Sequence, residues 1–147
     1  MAAPQFKTEI YTVDKLVESA GTILFRLLAR EVCILHSVQR RRNLSEGSQD
    51  TAIRKTTEEL GVPCYLLSVG LVSRVCPTVK TGDVPDGLRL FKSTRELIAM
   101  QQWQIADGEM KLIWWFLAAV DEKEVLRLHE KQKFEVEFHS YDEAVQA

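Results

Sequence analysis

Residues 42–62 read RNLSEGSQDTAIRKTTEELGV, and this stretch decides how the rest of the chain is interpreted. Its first third is polar and loop-like. Ser48 then offers a short side-chain oxygen suited to a helix N-cap, with Gln49 and Asp50 in the first turn. A helix over 49–60 would turn Ile53, Thr56 or Thr57, and Leu60 inward. Gly61 suits the left-handed residue that ends such a helix, and Pro63 bars its continuation. The remaining face carries Arg54, Lys55, Glu58 and Glu59. Asp50 and Arg54, and Lys55 and Glu59, are spaced as one-turn ion pairs, so a merely solvated face would look similar.

Outward from this helix, the chain reads mostly as strands. Residues 17–28 (VESAGTILFRLL) and 31–37 (EVCILHS) are apolar, β-branched runs broken only by Ala29-Arg30, which suits a tight antiparallel connection. Residues 64–75 (CYLLSVGLVSRV) return to strand character, with Gly70 as a bulge or bend. Pro77, Gly82, Pro85 and Gly87 mark 77–87 as a surface loop. Strands are predicted over 95–105 and 110–121, joined through the hairpin signal Asp107-Gly108. The second, MKLIWWFLAAVD, is apolar nearly throughout and should be central in the sheet. Successive side chains on a strand face opposite ways, so one of Trp114 and Trp115 enters the core. The other meets a second helix layer or a substrate pocket. Residues 121–133 suit a loop or short helix, 134–139 alternate as a strand, and Ser140 can cap a last helix.

Composition sets the class. At 147 residues the chain suits one domain, 1–147, with a substantial core. Hydrophobic content of 46% and charged content of 27% are ordinary for a globular fold. A net charge of -2 gives no broad attraction to a nucleic acid duplex or an anionic membrane. MAAPQFKTEIYTV has no long apolar run behind a basic start, so no signal peptide is expected. No apolar stretch approaches the roughly 18 residues a membrane span needs. Cys33, Cys64 and Cys76 are scattered and odd in number, as in a reduced, cytoplasmic protein rather than a disulfide frame.

The spacing from Glu46 through Val62 resembles the Nudix box, G-x5-E-x7-R-E-U-x-E-E-x-G-U, where U is a bulky apolar residue. Glu46, Arg54, Glu58, Glu59, Gly61 and Val62 match it. Outside the box, ESAGTILFR, VCILHSVQR, PCYLL, TGDVPDG, KLIWWFLAAVD and FEVEFHSYDEAV are similar to fungal Nudix-domain proteins. The resemblance implies an α/β fold, a Nudix-like α/β/α sandwich around a mixed β-sheet, in which homodimers are common. It also implies hydrolysis of a small-molecule substrate, a nucleoside diphosphate linked to another moiety, assisted by Mg or Mn. Such hard cations take carboxylate oxygens, polarise phosphoryl groups and activate water. On that resemblance Glu58 and Glu59 are metal ligands and catalytic carboxylates, Glu46 supports the metal site, and Arg54 orients the carboxylates through paired hydrogen bonds.

The sequence breaks the box at two positions that matter for chemistry, and both concern the metal-phosphate site. Arg40 replaces the opening glycine, and Lys55 replaces a glutamate that serves some relatives as base or metal ligand. A protonated lysine there, expected one turn from Glu59, would compete with a cation for that carboxylate. The approach HSVQR-RRNL is also shorter than the strand and turn that usually lead into the box. Diphosphate hydrolysis is therefore expected to be weakened. Arg41 and Arg42, with Arg40, could grip phosphate by guanidinium forks or form a solvated basic loop. His36 is the histidine placed to test as an acid or base, and Glu109 could lend a carboxylate. Two alternatives remain open: a repurposed, metal-independent isomerase, cyclase or tailoring enzyme of fungal secondary metabolism using an aromatic pocket, and a non-catalytic module that binds a phosphorylated ligand.

Overall fold

The computed structural model describes residues 8–33, 47–74, 87–105, 108–128 and 138–146. In chain order these form β1 (Leu16–Arg26), β2 (Glu31–Cys33), α1 (Ser48–Leu60), β3 (Cys64–Leu66), β4 (Val69–Ser73) and β5 (Arg89–Thr94). There follow β6 (Ala99–Gln104), β7 (Met110–Val120), α2 (Glu122–Leu128), β8 (His139–Ser140) and α3 (Tyr141–Gln146). The fold is mixed α/β, built on a mixed sheet.

β1 and β7 form the centre because they are the two long strands apolar enough to be covered on both faces. They run parallel in unbroken register from Leu16 opposite Met110 to Phe25 opposite Ala119. The outer edge of β7 is shared by two antiparallel strands. β3 pairs with its last residues, Ala118–Val120, and β6 with Met110 through Trp115. On the other side β1 turns back into β2, which pairs in turn with β8. Arg30 adopts a left-handed φ of 57° at the β1–β2 turn, the break expected at Ala29-Arg30.

The single strand expected over 64–75 is divided. Its first part joins the main sheet as β3, and Leu67 still donates its N–H to Leu117 O at 2.9 Å. Its second part leaves to pair with β5 in a separate two-stranded sheet, with a register shift between Val69 and Leu71, at Gly70. β5 was not anticipated, and the strand expected from 95 begins only at Ala99. The Asp107-Gly108 hairpin expectation is met by the antiparallel β6–β7 pair, with Gly108 at φ 75°. Of the strand expected over 134–139, His139 pairs with β2, and residues 134–137 lie outside the described residues.

α1 lies on β1 and β7. Gly47, in extended conformation, is its N-cap without a side-chain cap hydrogen bond, so Ser48 is the first helical residue rather than the cap. At the other end Gly61 turns left-handed, φ 65°, and donates its N–H to Thr57 O at 2.8 Å. The face α1 buries comprises Thr51, Ala52, Lys55 and Thr56. Ala52 sits directly on Ala20 and Phe116, with Trp114 and Leu66 packed around them. Small residues on both surfaces let helix and sheet approach closely. Ile53 and Leu60 are half-buried at the border of a second cluster containing Leu24, Cys33, Val62, Ala118, Val120 and Val125.

The two short helices are held by polar ends. Asp121 accepts a hydrogen bond from the Glu124 N–H at 3.2 Å at the start of α2. Arg26 reaches from β1 to Glu122, Nε to Oε1 at 2.9 Å, and stacks over Phe138 at 5.7 Å. Ser140 and Glu143 form a reciprocal capping box on α3. Glu143 Oε2 accepts from Ser140 N–H at 3.0 Å, and Ser140 Oγ accepts from Glu143 N–H at 3.3 Å. No helix among the described residues is long and apolar enough to cross a membrane.

Candidate functional site

The exposed side of α1 presents the residues the box singles out. Arg54 Nη1 donates to both carboxylate oxygens of Glu58, at 3.1 and 2.9 Å, one turn along the helix. The pair forms with Glu58 rather than with Asp50, the one-turn partner that the spacing offered. Both groups are part-exposed, so the contact fixes a geometry more than it stabilises the fold, contributing about 0.3–0.5 kcal/mol. Glu59 is exposed beside it.

Lys55 departs from the surface position expected for it. Only 5% of it is exposed, and its Nζ donates to Ser19 Oγ on β1 at 3.3 Å. Beside it, Thr56 Oγ1 donates to Ala52 O at 2.7 Å, which leaves the Thr22 hydroxyl as the donor in the 2.7 Å contact between Thr22 and Thr56. The inward face of α1 is thus a row of hydroxyls and one ammonium, each given a partner on the helix or on β1. Thr51 is the exception: its buried Oγ1 has no hydrogen-bond partner.

The fit to a hard divalent cation is partial. Glu58 and Glu59 provide two neighbouring carboxylates, and one of them is already forked by Arg54. Among the described residues no group of three or more His, Cys, Asp or Glu could hold a metal ion. Glu109 is exposed at the start of β7, and its carbonyl accepts the Ile105 N–H at 2.8 Å, which is the work of a hairpin residue. Glu46, Arg40, Arg41, Arg42 and His36 lie outside the described residues.

The other face of the sheet carries a different feature. Trp114 joins the core beneath α1, while Trp115 faces away from it. The neighbours of Trp115 across the sheet are Gly21 on β1 and Ala99 on β6, the smallest residues available. Its ring lies over Gly21 so closely that a Cβ there would fall 3.0 Å from Cζ3. Its Nε1 donates to Gln101 Oε1 at 3.2 Å, which fixes the indole on the strand. Between this surface and α3 lies a cavity of about 540 Å³, bordered by Ile23, Phe25, Trp115, Tyr141 and Ala144. Phe25 and Tyr141 meet edge to face, centroids 6.1 Å apart. The alternation of Trp114 and Trp115 signalled a tryptophan on this face. Nothing in the local pattern signalled α3 as the second wall.

A second buried lysine lies on β7. Lys111 is 2% exposed, its Nζ has no hydrogen-bond partner, and it sits 5.1 Å from the centroid of the Trp103 ring. Cys33 and Cys64 are free, and burial pushes both thiols above their ordinary range, keeping them protonated and unreactive. Comparison with known proteins adds no relative: no family profile, no curated protein and no solved structure matches this chain.

Proposed function

We propose that this chain is a Nudix-like domain derived from a metal-dependent diphosphate hydrolase, in which the original hydrolysis is weak. The observation that carries this reading is the Arg54–Glu58 fork on the exposed face of α1, with Glu59 beside it. The substrate class is an organic diphosphate, a nucleoside diphosphate linked to another group. Water is the nucleophile, Glu58 or Glu59 accepts its proton, and Arg54 holds the Glu58 carboxylate in one orientation. Mg or Mn would supply charge neutralisation of the diphosphate, but the described carboxylates do not complete a hard-cation site. Lys55 supports the weakening. A positive, buried side chain tied to Ser19 occupies the position where the box has a glutamate. The free cysteines support a reducing, cytoplasmic setting.

Turnover of a diphosphate panel with Mg or Mn tests the reading. Slow release of a monophosphate product is expected, with Glu58→Gln abolishing it, a loss of about a hundredfold or more. A folded protein with no turnover on the panel and no metal binding by calorimetry would sink it. Turnover that persists in chelator and in Glu58→Gln would assign the chemistry elsewhere.

A further inference from the structure

The cavity under α3 is on the face of the sheet turned away from the α1 carboxylates, and nothing in the proposed hydrolysis uses it. We propose that it is a binding site for an uncharged, largely apolar, ring-containing small molecule that stacks against Trp115.

Size comes first. A volume of about 540 Å³ falls inside the range of pockets that enclose drug-sized ligands, and it is far larger than a packing defect. The cavity is open to solvent on one side, where Val145, 87% exposed, stands on its rim. Two small residues flank Trp115. Gly21, in the middle of a buried central strand, carries no side chain, and Ala99 on the opposite side of Trp115 carries only a methyl. A glycine inside a strand interior is unfavourable relative to alanine. At this position a Cβ would come within 3.0 Å of Trp115 Cζ3, so the indole would have to shift to make room for it.

Preorganisation is the second argument. Trp115 is held by its hydrogen bond to Gln101, and Tyr141 by its edge-to-face contact with Phe25. The two aromatic walls are therefore set before any ligand arrives, and little side-chain ordering remains to oppose binding. Tyr141 and Ala144 come from α3, which is anchored by the Ser140–Glu143 capping box.

Charge decides the ligand class. No Asp, Glu, Lys, Arg or His borders the cavity among the described residues. Tyr141 brings a hydroxyl to the lining, whereas the Thr22 hydroxyl is turned to Thr56 on the opposite face and Cys33 belongs to the core cluster around Leu24. An ionised ligand would be desolvated here without compensation, which costs several kcal/mol. A neutral ring system loses nothing of that kind and gains apolar burial and stacking.

The test uses the whole chain and the neutral fluorescent probe N-phenyl-1-naphthylamine, read by probe enhancement and by energy transfer from tryptophan. Saturable binding at one site per chain is expected, unchanged by chelator, which separates it from any metal-assisted site on α1. Ala144→Trp fills the cavity from α3 without touching the sheet core and should weaken binding by about tenfold or more. The anionic analogue 1-anilinonaphthalene-8-sulfonate should bind at least about tenfold more weakly than the neutral probe, because the described lining offers it no cation. Non-saturating uptake, equal affinity for both probes, or undiminished binding by a folded Ala144→Trp would each overturn the proposal.

Discussion

The two faces of the central sheet are built to opposite specifications. Beneath α1, Ala20, Ala52 and Phe116 close the space between helix and sheet, and even the polar groups are drawn into contact, Thr22 with Thr56 and Lys55 with Ser19. On the reverse face Gly21 and Ala99 flank Trp115, and the space beside the indole is left as a cavity. The same two strands supply both surfaces, so side-chain size at alternate positions makes the difference. A face that carries stability is filled, whereas one that carries a ligand is left partly empty.

The largest expected effect tests that contrast directly. Phe116→Ala removes a ring that is 2% exposed from the closed face and should cost about 3–5 kcal/mol. Trp115→Ala removes a larger ring, but one that already borders open space, and should cost only about 1–2 kcal/mol. Urea unfolding read by far-UV circular dichroism compares the two without depending on tryptophan emission. Equal losses would mean that the two faces are packed alike and that the cavity is closed in solution.

The two buried lysines sharpen the comparison at intermediate scale. Lys55 has a hydroxyl partner on β1, while Lys111 has only the face of Trp103. A cation–π contact contributes about 0.5–2 kcal/mol, less than the several kcal/mol an ammonium loses when removed from water. Lys111→Met keeps the stem and removes the charge, and should raise stability by about 1 kcal/mol. A denaturation midpoint that falls instead would show that the contact with the Trp103 ring outweighs the lost hydration of the ammonium.

These contrasts also show what the sequence could and could not disclose. The end of α1 was legible because Gly61 and Pro63 act locally, and the centrality of β7 because MKLIWWFLAAV has no solvated face. The buried side of α1 was misread. Apolar spacing selected Ile53 and Leu60, but the helix turns Thr51, Lys55 and Thr56 inward, and their burial depends on hydroxyls of β1 that are distant in sequence. β5 was missed for a related reason. RLFKST has a weak alternation, and it becomes a strand through pairing with β4. Of the candidate site, one-turn spacing offered Asp50 as the partner of Arg54, and the pair forms one turn the other way, with Glu58; a metal centre needs ligands from more than one segment. The cavity required two segments to meet, Trp115 on β7 and Tyr141 on α3, and no local pattern reports such a meeting.

The smallest effect concerns the wall of the cavity. The Ser140 backbone N–H and hydroxyl both donate to the exposed Glu143 carboxylate and hold its pKa below the ordinary 4.5. A carboxylate whose pKa is depressed on folding contributes stability above its unfolded pKa, and that contribution is lost as pH falls through the folded value. Glutamine can keep the neutral form of the capping box, so Glu143→Gln isolates the part due to charge. The variant should melt slightly below the parent at pH 7, and the two Tm values should begin to converge below the ordinary 4.5 and meet once the pH has fallen through the lower folded value. Because Tyr141 and Ala144 lie on the helix this box begins, affinity for a neutral cavity probe should weaken over the same interval. The buried residues of α1, Thr51, Ala52, Lys55 and Thr56, include no carboxylate, and Phe116 should remain buried throughout. If probe affinity stays constant as the Tm difference disappears, the wall is held by the Phe25–Tyr141 contact and not by the cap.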